Sequence, residues 1–168
     1  MEGLHGTRPA GWLAPVKPWL AQPLKDQHWR PMGEAIATFG FVSRSRVPAQ
    51  QAAAELAKIV ETSTRSNSRH DITGALMSAG AYLAQVIEGP PARVEHIRLC
   101  ILVDPRHEAV VELELTSRTR RRFTTWTLAY SGGSRFFERF LQELHEGPGE
   151  ARDVARLERM LWEFSEGE

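Results

Sequence analysis

Between residues 35 and 129, short apolar runs typical of strands alternate with longer segments at helical spacing, in an order that few folds accommodate. The predicted strands cover residues 35–42, 72–77, 81–87, 110–115 and 122–129, and the predicted helices cover 48–63 and 92–102. The resulting order, β-α-β-β-α-β-β, is that of a ferredoxin-like α+β domain with one added strand. We therefore expect a five-stranded mixed sheet with two helices on one face.

The segment before this core has a different composition. Residues 1–33 hold five of the ten prolines and show no sustained periodicity, which predicts an irregular N-terminal arm. The arm also holds Trp12, Trp19 and Trp29, and tryptophan is a costly residue to leave in water. Two alternatives stay open: a disordered leader, or an arm whose tryptophans dock on the core or on a partner.

The segment after the core, residues 132–168, is predicted to be helical. Apolar residues recur at helical spacing over 134–146 and 150–164, on either side of Gly147-Pro148-Gly149. These apolar faces suit a cap on the sheet or an oligomer interface. We expect a cap that also shares an interface with a second copy, as a dimer or a higher homo-oligomer.

Charge and cysteine content disfavour several classes of protein. The 21 basic and 21 acidic residues give no net charge, which makes nucleic acid an unlikely partner. No apolar run reaches the roughly 20 residues that span a bilayer. The single cysteine, Cys100, allows no internal disulfide, and no cysteine or histidine spacing indicates a metal site. With no signal-peptide pattern at the N-terminus, these features predict a cytoplasmic protein.

Several polar or aromatic residues have both a structural and a functional interpretation. Gln85 interrupts the apolar run 83–87, where an amide lies either on the solvent face or against the polar edge of a heterocycle. Asn67 suits a helix end or a ligand contact, and residues 104–107 suit a turn after a helix. Trp126 suits the core. No nucleotide-binding or hydrolase motif is present, and no catalytic residue is predicted.

Five segments in this order resemble the BLUF family, small bacterial sensors of blue light that use FAD. The segments are Phe41-Val42-Ser43-Arg44, Asn67-Ser68-Arg69-His70-Asp71-Ile72-Thr73-Gly74-Ala75-Leu76, Gln85-Val86-Ile87-Glu88-Gly89, Asp104-Pro105-Arg106-His107 and Arg122-Phe123-Thr124-Thr125-Trp126-Thr127-Leu128. The resemblance covers residues 34–131, which we interpret as a flavin-binding domain.

The resemblance implies that an isoalloxazine ring lies between the two helices, against the sheet. It assigns Asn67 to the carbonyl and N3 edge of the ring and Gln85 to the N5 and O4 region. It places Asp104, Arg106 and His107 beside the ring, and Trp126 and Leu128 on the last strand, where Leu128 replaces the usual methionine. The implied cofactor is FAD, with FMN and riboflavin as alternatives.

The chain departs from the family pattern at the first strand. The family carries Tyr-x-Ser there, and its tyrosine gives an electron and a proton to the excited flavin. This chain has Phe41-Val42-Ser43, and its two tyrosines, Tyr82 and Tyr130, lie elsewhere. Ser66 and Cys100 also differ from common family residues. The expected consequence is flavin binding with an impaired or absent normal photocycle.

Three functions follow as alternatives. The first is a non-enzymatic flavin-binding sensor that acts through contacts with a downstream protein. The second is an interaction scaffold of the same fold without flavin. The third, a small enzyme that resembles acylphosphatases and uses Arg44 or Arg46 with Asn67, is disfavoured because the loop lacks glycines that would turn N–H groups toward an anion. The cluster of Arg118 and Arg120–Arg122 suits a solvated turn or a contact with an acidic partner.

Overall fold

The computed structural model describes residues 36–113, 115 and 118–166. Its elements are β1 Ala37–Ser45, α1 Ala49–Arg69, β2 Thr73–Ala79, β3 Tyr82–Gly89, α2 Pro91–Leu102, β4 His107–Leu113, β5 Trp126–Gly132, α3 Arg135–Glu146 and α4 Ala151–Glu166. The arm predicted over residues 1–33 lies outside the described residues. No helix in the described part of the chain is long and apolar enough to cross a membrane.

The five strands form one mixed sheet in the order β4-β1-β3-β2-β5. Strand β5 runs parallel to β2, and the other three pairings are antiparallel. The predicted order of strands and helices and the predicted α+β class are therefore confirmed. The hairpin between β2 and β3 turns over Gly80 and Ala81, and Gly80 supplies a left-handed φ of 56° that a turn this short requires.

Alternation along the strands divides the core between the two faces of the sheet. On β1, Phe39 and Phe41 pack with the apolar faces of α1 and α2, whereas Val42 packs on the opposite face. That second face is covered by α3 and α4, whose buried residues include Leu141, Leu144, Leu157 and Leu161. The division of the chain at residues 33/34 and 131/132 stays a prediction.

The end of α1 differs from the sequence-based expectation. Residues 64–69 were expected in a polar connection, but the helix continues to Arg69 and so includes Ser66 and Asn67. The apolar stripe ends near Ser63, so periodicity no longer signals a helix there. The backbone carbonyl of Asn67 instead ends the helix, because it accepts hydrogen bonds from the amides of His70 (3.1 Å) and Ile72 (2.9 Å).

The start of β5 also differs from the expectation. A strand was expected from residue 122, but residues 122–125 are irregular and β5 begins at Trp126. Carboxylate side chains bind three backbone amides in this stretch, and only the carbonyl of Thr125 bonds to the neighbouring strand, accepting from the amide of Gly74 (2.9 Å). One oxygen of Glu88 accepts hydrogen bonds from the amides of Arg122 (2.8 Å) and Phe123 (3.2 Å), and Glu166 accepts one from the amide of Thr124 (2.8 Å).

Candidate functional site

The face of the sheet beneath α1 and α2 brings three predicted site residues into one row. Phe41 on β1 lies opposite Gln85 on β3, Gln85 lies opposite Leu76 on β2, and Leu76 lies opposite Leu128 on β5. Phe41, Leu76 and Leu128 belong to the apolar cluster that packs against the two helices. Gln85 is therefore a half-buried amide in an otherwise apolar row, and no described residue gives its side chain a hydrogen bond. Leu76 was not singled out from the sequence, although it lies next to Gln85.

Asn67 supplies a second amide at the C-terminal end of α1. Its side chain is buried, with 6% of the residue exposed. Its backbone carbonyl is used by the turn into β2, whereas its side chain has no hydrogen-bond partner among the described residues. Ser66, one residue earlier, is half-buried and lies beside His70, with 3.4 Å between its Oγ and the Nδ1 of that ring. Among the described residues, no side-chain hydrogen bond joins Ser66 or Asn67 to the row on the sheet.

His107 connects the end of α2 to β1. Its Nδ1 lies 2.9 Å from Oγ of the fully buried Ser43, and its Nε2 lies 3.0 Å from the carbonyl of Ile101. Because a carbonyl can only accept, the proton is on Nε2 and the Ser43 hydroxyl donates to Nδ1. The His107 ring also lies against Phe41, with 5.6 Å between the ring centroids. Three predicted site residues are thus in contact.

Burial lowers the pKa of His107 below its ordinary value of 6.5, although the Asp104 charge and the bond to Ile101 oppose the shift. The unfolded chain then binds this proton more readily than the folded protein. The stabilisation from neutral His107 is complete above about pH 6.5 and is lost as the pH falls from there toward the lower folded pKa.

We expect His107→Gln to weaken the acid dependence of stability. Glutamine has a donor and an acceptor in place of the ring nitrogens but does not titrate. In urea unfolding between pH 7.5 and 5.5, the original chain should lose more stability than the variant. The two proteins differ only at residue 107, so contributions from the rest of the chain cancel in the comparison. Parallel stability curves for the two proteins would contradict the prediction.

Asp104 and Arg106 are paired with each other at the rim of this face. The Asp104 carboxylate accepts hydrogen bonds from the backbone amide of Arg106 (2.9 Å) and from its guanidinium. Burial alone would raise the pKa of Asp104, but the bonds and charge of Arg106 outweigh it and hold that pKa below its ordinary value. Asp104 is therefore an anion whose charge is matched by Arg106.

Trp126 follows the irregular segment and begins β5. It lies opposite Gly74 and is 5% exposed, within the same apolar cluster as Phe41. Its indole Nε1 is buried without a hydrogen-bond partner among the described residues. A buried indole N–H usually has a partner, so this donor is available to an additional group.

Glu88 positions the segment before Trp126, a role that its place in the motif of residues 85–89 does not reveal. It is fully buried on the opposite face of the sheet, three residues after Gln85, and holds the segment that leads to Trp126. A carboxylate inside an apolar strand is the signal that could have identified this role, since a buried charge needs partners.

Together, the α1–α2 face combines an apolar floor with the half-buried Gln85 amide and the unpartnered Trp126 indole donor, and the end of α1 adds the buried Asn67 amide. This combination suits a flat heteroaromatic ligand whose edge carries carbonyl and N–H groups. The family profile described as "BLUF: Sensors of blue-light using FAD" matches residues 37–129. The chain belongs to the BLUF family.

Relatives of this BLUF chain include larger proteins. It is 32% identical over 83 residues to the blue light- and temperature-regulated antirepressor BluF of Escherichia coli (strain K12), covering 49% of this chain and 21% of that protein. It is 31% identical over 94 residues to the photoactivated adenylate cyclase subunit beta of Euglena longa, covering 55% of this chain and 11% of that protein. The match therefore spans a small part of each relative.

The chain also matches a solved structure of a BLUF protein over almost the whole length of that protein. The dark-state structure of BlrB, a BLUF protein, shares 26% sequence identity with a TM-score of 0.61, and the match covers 77% of this chain and 97% of that chain. The ferredoxin-like fold expected from the sequence is therefore confirmed by the solved structure of a relative as well as by the topology of the sheet.

Proposed function

We propose that this BLUF chain binds a flavin, FAD above the alternatives FMN and riboflavin, between α1 and α2. The observation that supports the proposal is the pair of amides, Asn67 and Gln85, that have no side-chain partners among the described residues on an apolar face. Asn67 would bind the carbonyl and N3 edge of the ring, and Gln85 the N5 and O4 region. The bound flavin would supply absorption of blue light.

The proposed sensor lacks the usual photocycle because of Phe41. The position opposite Gln85 on β1 carries a benzyl ring with no hydroxyl, so it can neither hydrogen-bond the amide nor exchange a proton. Loss of one hydroxyl removes little binding free energy, and flavin affinity is retained. Trp126 can quench the excited flavin by electron transfer, without the proton step that stabilises a signalling state.

Absorption spectra test this proposal. The purified protein, mixed with FAD and then separated from unbound FAD, should show a flavin band whose position is unchanged after blue light. Asn67→Ala and Gln85→Ala should each weaken FAD binding by about threefold to tenfold, the cost of one to two hydrogen bonds. Gln51→Ala removes an exposed amide from α1 and should leave the affinity unchanged. A protein that stays colourless with added FAD would contradict flavin binding.

The output of the domain would pass through protein contacts, with no catalysis by the domain itself. The family is one of sensors, and the relatives include an antirepressor and a cyclase subunit. We propose a cytoplasmic regulator in which α3 and α4 carry the signal to a downstream protein or to a second copy of the chain. The alternative, a flavin-free scaffold, is favoured by the departures from the family pattern at Phe41, Ser66 and Cys100, and the same spectra distinguish it.

A further inference from the structure

We propose that residues 118–125, which we call the strap, couple the flavin face of the sheet to α4. The strap touches the sheet on one side and α4 on the other, and the chain continues from it directly into Trp126. Displacement of either side would then loosen the other. The inference rests on the proposed function only in taking α4 as part of the output.

The sheet side of the strap is held next to both amide-bearing positions. Arg121 donates hydrogen bonds to the carboxylate of Asp71 (2.6 Å), to Oγ1 of Thr73 (3.1 Å) and to the carbonyl of Glu88 (3.2 Å). The Glu88 carboxylate accepts the amides of residues 122 and 123. Asp71 lies four residues after Asn67 and Glu88 three residues after Gln85, so these anchors share short stretches of backbone with the site.

The α4 side of the strap is held along a single stripe of that helix. Arg118 donates to Oε2 of Glu158 (2.9 Å), and the guanidinium of Arg122 lies 5.8 Å from the centre of the Trp162 ring. The amide and hydroxyl of Thr124 both donate to Glu166 (2.8 Å each to Oε1). Glu158, Trp162 and Glu166 are spaced by four residues, which places them on one face of the helix.

The charges that join the strap to its two neighbours are only partly satisfied. Glu88 is fully buried and Glu158 is 3% exposed. One oxygen of each carboxylate, and Nε of Arg118, are buried without a hydrogen-bond partner among the described residues. A buried ion with few partners depends strongly on each of them, because losing one leaves an uncompensated charge. Each bond between the strap and these two carboxylates therefore matters more than an exposed bond would.

Arg122 lies at the centre of this arrangement. Its backbone amide is bound by Glu88 of the sheet, whereas its side chain lies 4.0 Å from Glu158 and against Trp162 of α4. A shift of β3 that moved Glu88 would move the same residue that contacts α4. The coupling is thermodynamic and must act equally in both directions.

Hydrogen exchange followed residue by residue tests both directions. On the sheet side, Arg121→Gln removes the guanidinium bonds to Asp71, Thr73 and the carbonyl of Glu88, and should speed exchange of the amides of residues 158–166 by about tenfold. On the α4 side, Glu166→Gln weakens the hold on Thr124 and should speed exchange of the amides of Arg122 and Phe123 to a similar degree. Both altered side chains are partly solvent-exposed, so the fold is retained.

Matched controls separate coupling from general destabilisation. Arg139 and Glu143 form an exposed ion pair on α3, and Arg139→Gln and Glu143→Gln should leave both amide sets unchanged. Exchange in α3 should also stay unchanged in the two test variants. The proposal is overturned if Arg121→Gln affects the strap alone, or if α3 and α4 speed up equally.

A separate measurement keeps this inference distinct from flavin binding. The exchange experiments use the full chain without added flavin, and an absorption spectrum with FAD is recorded for the same samples. Reciprocal changes in a protein that stays colourless would support the strap and contradict the proposed cofactor. A protein that binds FAD but shows no reciprocal change would support the cofactor and overturn the strap.

Discussion

Phe41→Tyr should give the FAD-loaded protein a red shift of its flavin band under blue light that reverses in the dark, whereas the original chain gives no lasting shift. The change from no response to a full response is the largest spectroscopic effect expected here. It follows from the register of the sheet, which places residue 41 directly opposite Gln85. A phenol at this position can hydrogen-bond the amide and donate a proton, which a benzyl ring cannot do.

The site has the features needed to accept the added hydroxyl. Phe41 is 4% exposed, and the half-buried Gln85 beside it has no side-chain partner among the described residues. A buried tyrosine hydroxyl needs a hydrogen-bond partner, and the Gln85 amide can serve as one without giving up an existing bond. The new hydroxyl therefore restores the missing group without requiring a second substitution.

Phe39→Tyr is the matched control for this experiment. Phe39 lies on the same strand and face, with its ring stacked 5.9 Å from that of Phe41, but it lies opposite Ile87 rather than Gln85. It should give no red shift. Adding Gln85→Ala to Phe41→Tyr should also abolish the response. If the Phe41→Tyr variant binds FAD and still shows no red shift, the missing phenol is not the reason why the original chain lacks a photocycle.

Periodicity in the sequence predicts the order of the elements because each face of the sheet buries its own apolar set. The alternation of Phe39, Phe41 and Val42 is enough to assign a two-sided strand, and the spacing of Leu56, Ile59 and Val60 is enough to assign the helix that covers it. These signals are local in sequence. The fold class follows from them once the order β-α-β-β-α-β-β is recognised.

The misplaced start of β5 has a non-local cause. Arg122 and Phe123 leave the strand pattern because Glu88, more than thirty residues earlier, captures their amides. Thr124 is held by Glu166, more than forty residues later. No local propensity encodes such bonds, which compete directly with the ladder of a strand.

In the candidate site, too, some features follow from the sequence and others depend on non-local contacts. Resemblance identifies the residue types, and the register then explains why Gln85 meets Phe41. The contact between His107 and Ser43, by contrast, joins residues 64 positions apart and depends on how α2 ends. The pairing of Asp104 with Arg106 is also not predictable from the sequence. Neither the turn nor the sign of the charges determines which groups bind each other.

Leu157→Ala should destabilise the protein by about 3 kcal/mol, because it removes three buried carbon atoms from the core. Leu157 is fully buried where α4 packs on the second face of the sheet, with Val86 and Leu161 in the same cluster. Removing its side chain leaves a cavity because the close-packed cluster around it, formed by the sheet, α3 and α4, limits the collapse of neighbours. α4 is then an integral part of the fold rather than an appendage.

Leu99→Ala supplies the matched control in urea unfolding. Leu99 is also a helical leucine, but 52% of it is exposed on α2, so its truncation should change the free energy of unfolding by no more than about 0.5 kcal/mol. With an unchanged slope of unfolding against urea, Leu157→Ala should lower the midpoint by about 1.5 M. Equal, small effects of the two substitutions would mean that α4 contributes little to the core. In that case the covering of the second face by α3 and α4 would be too weak to transmit a change in the sheet.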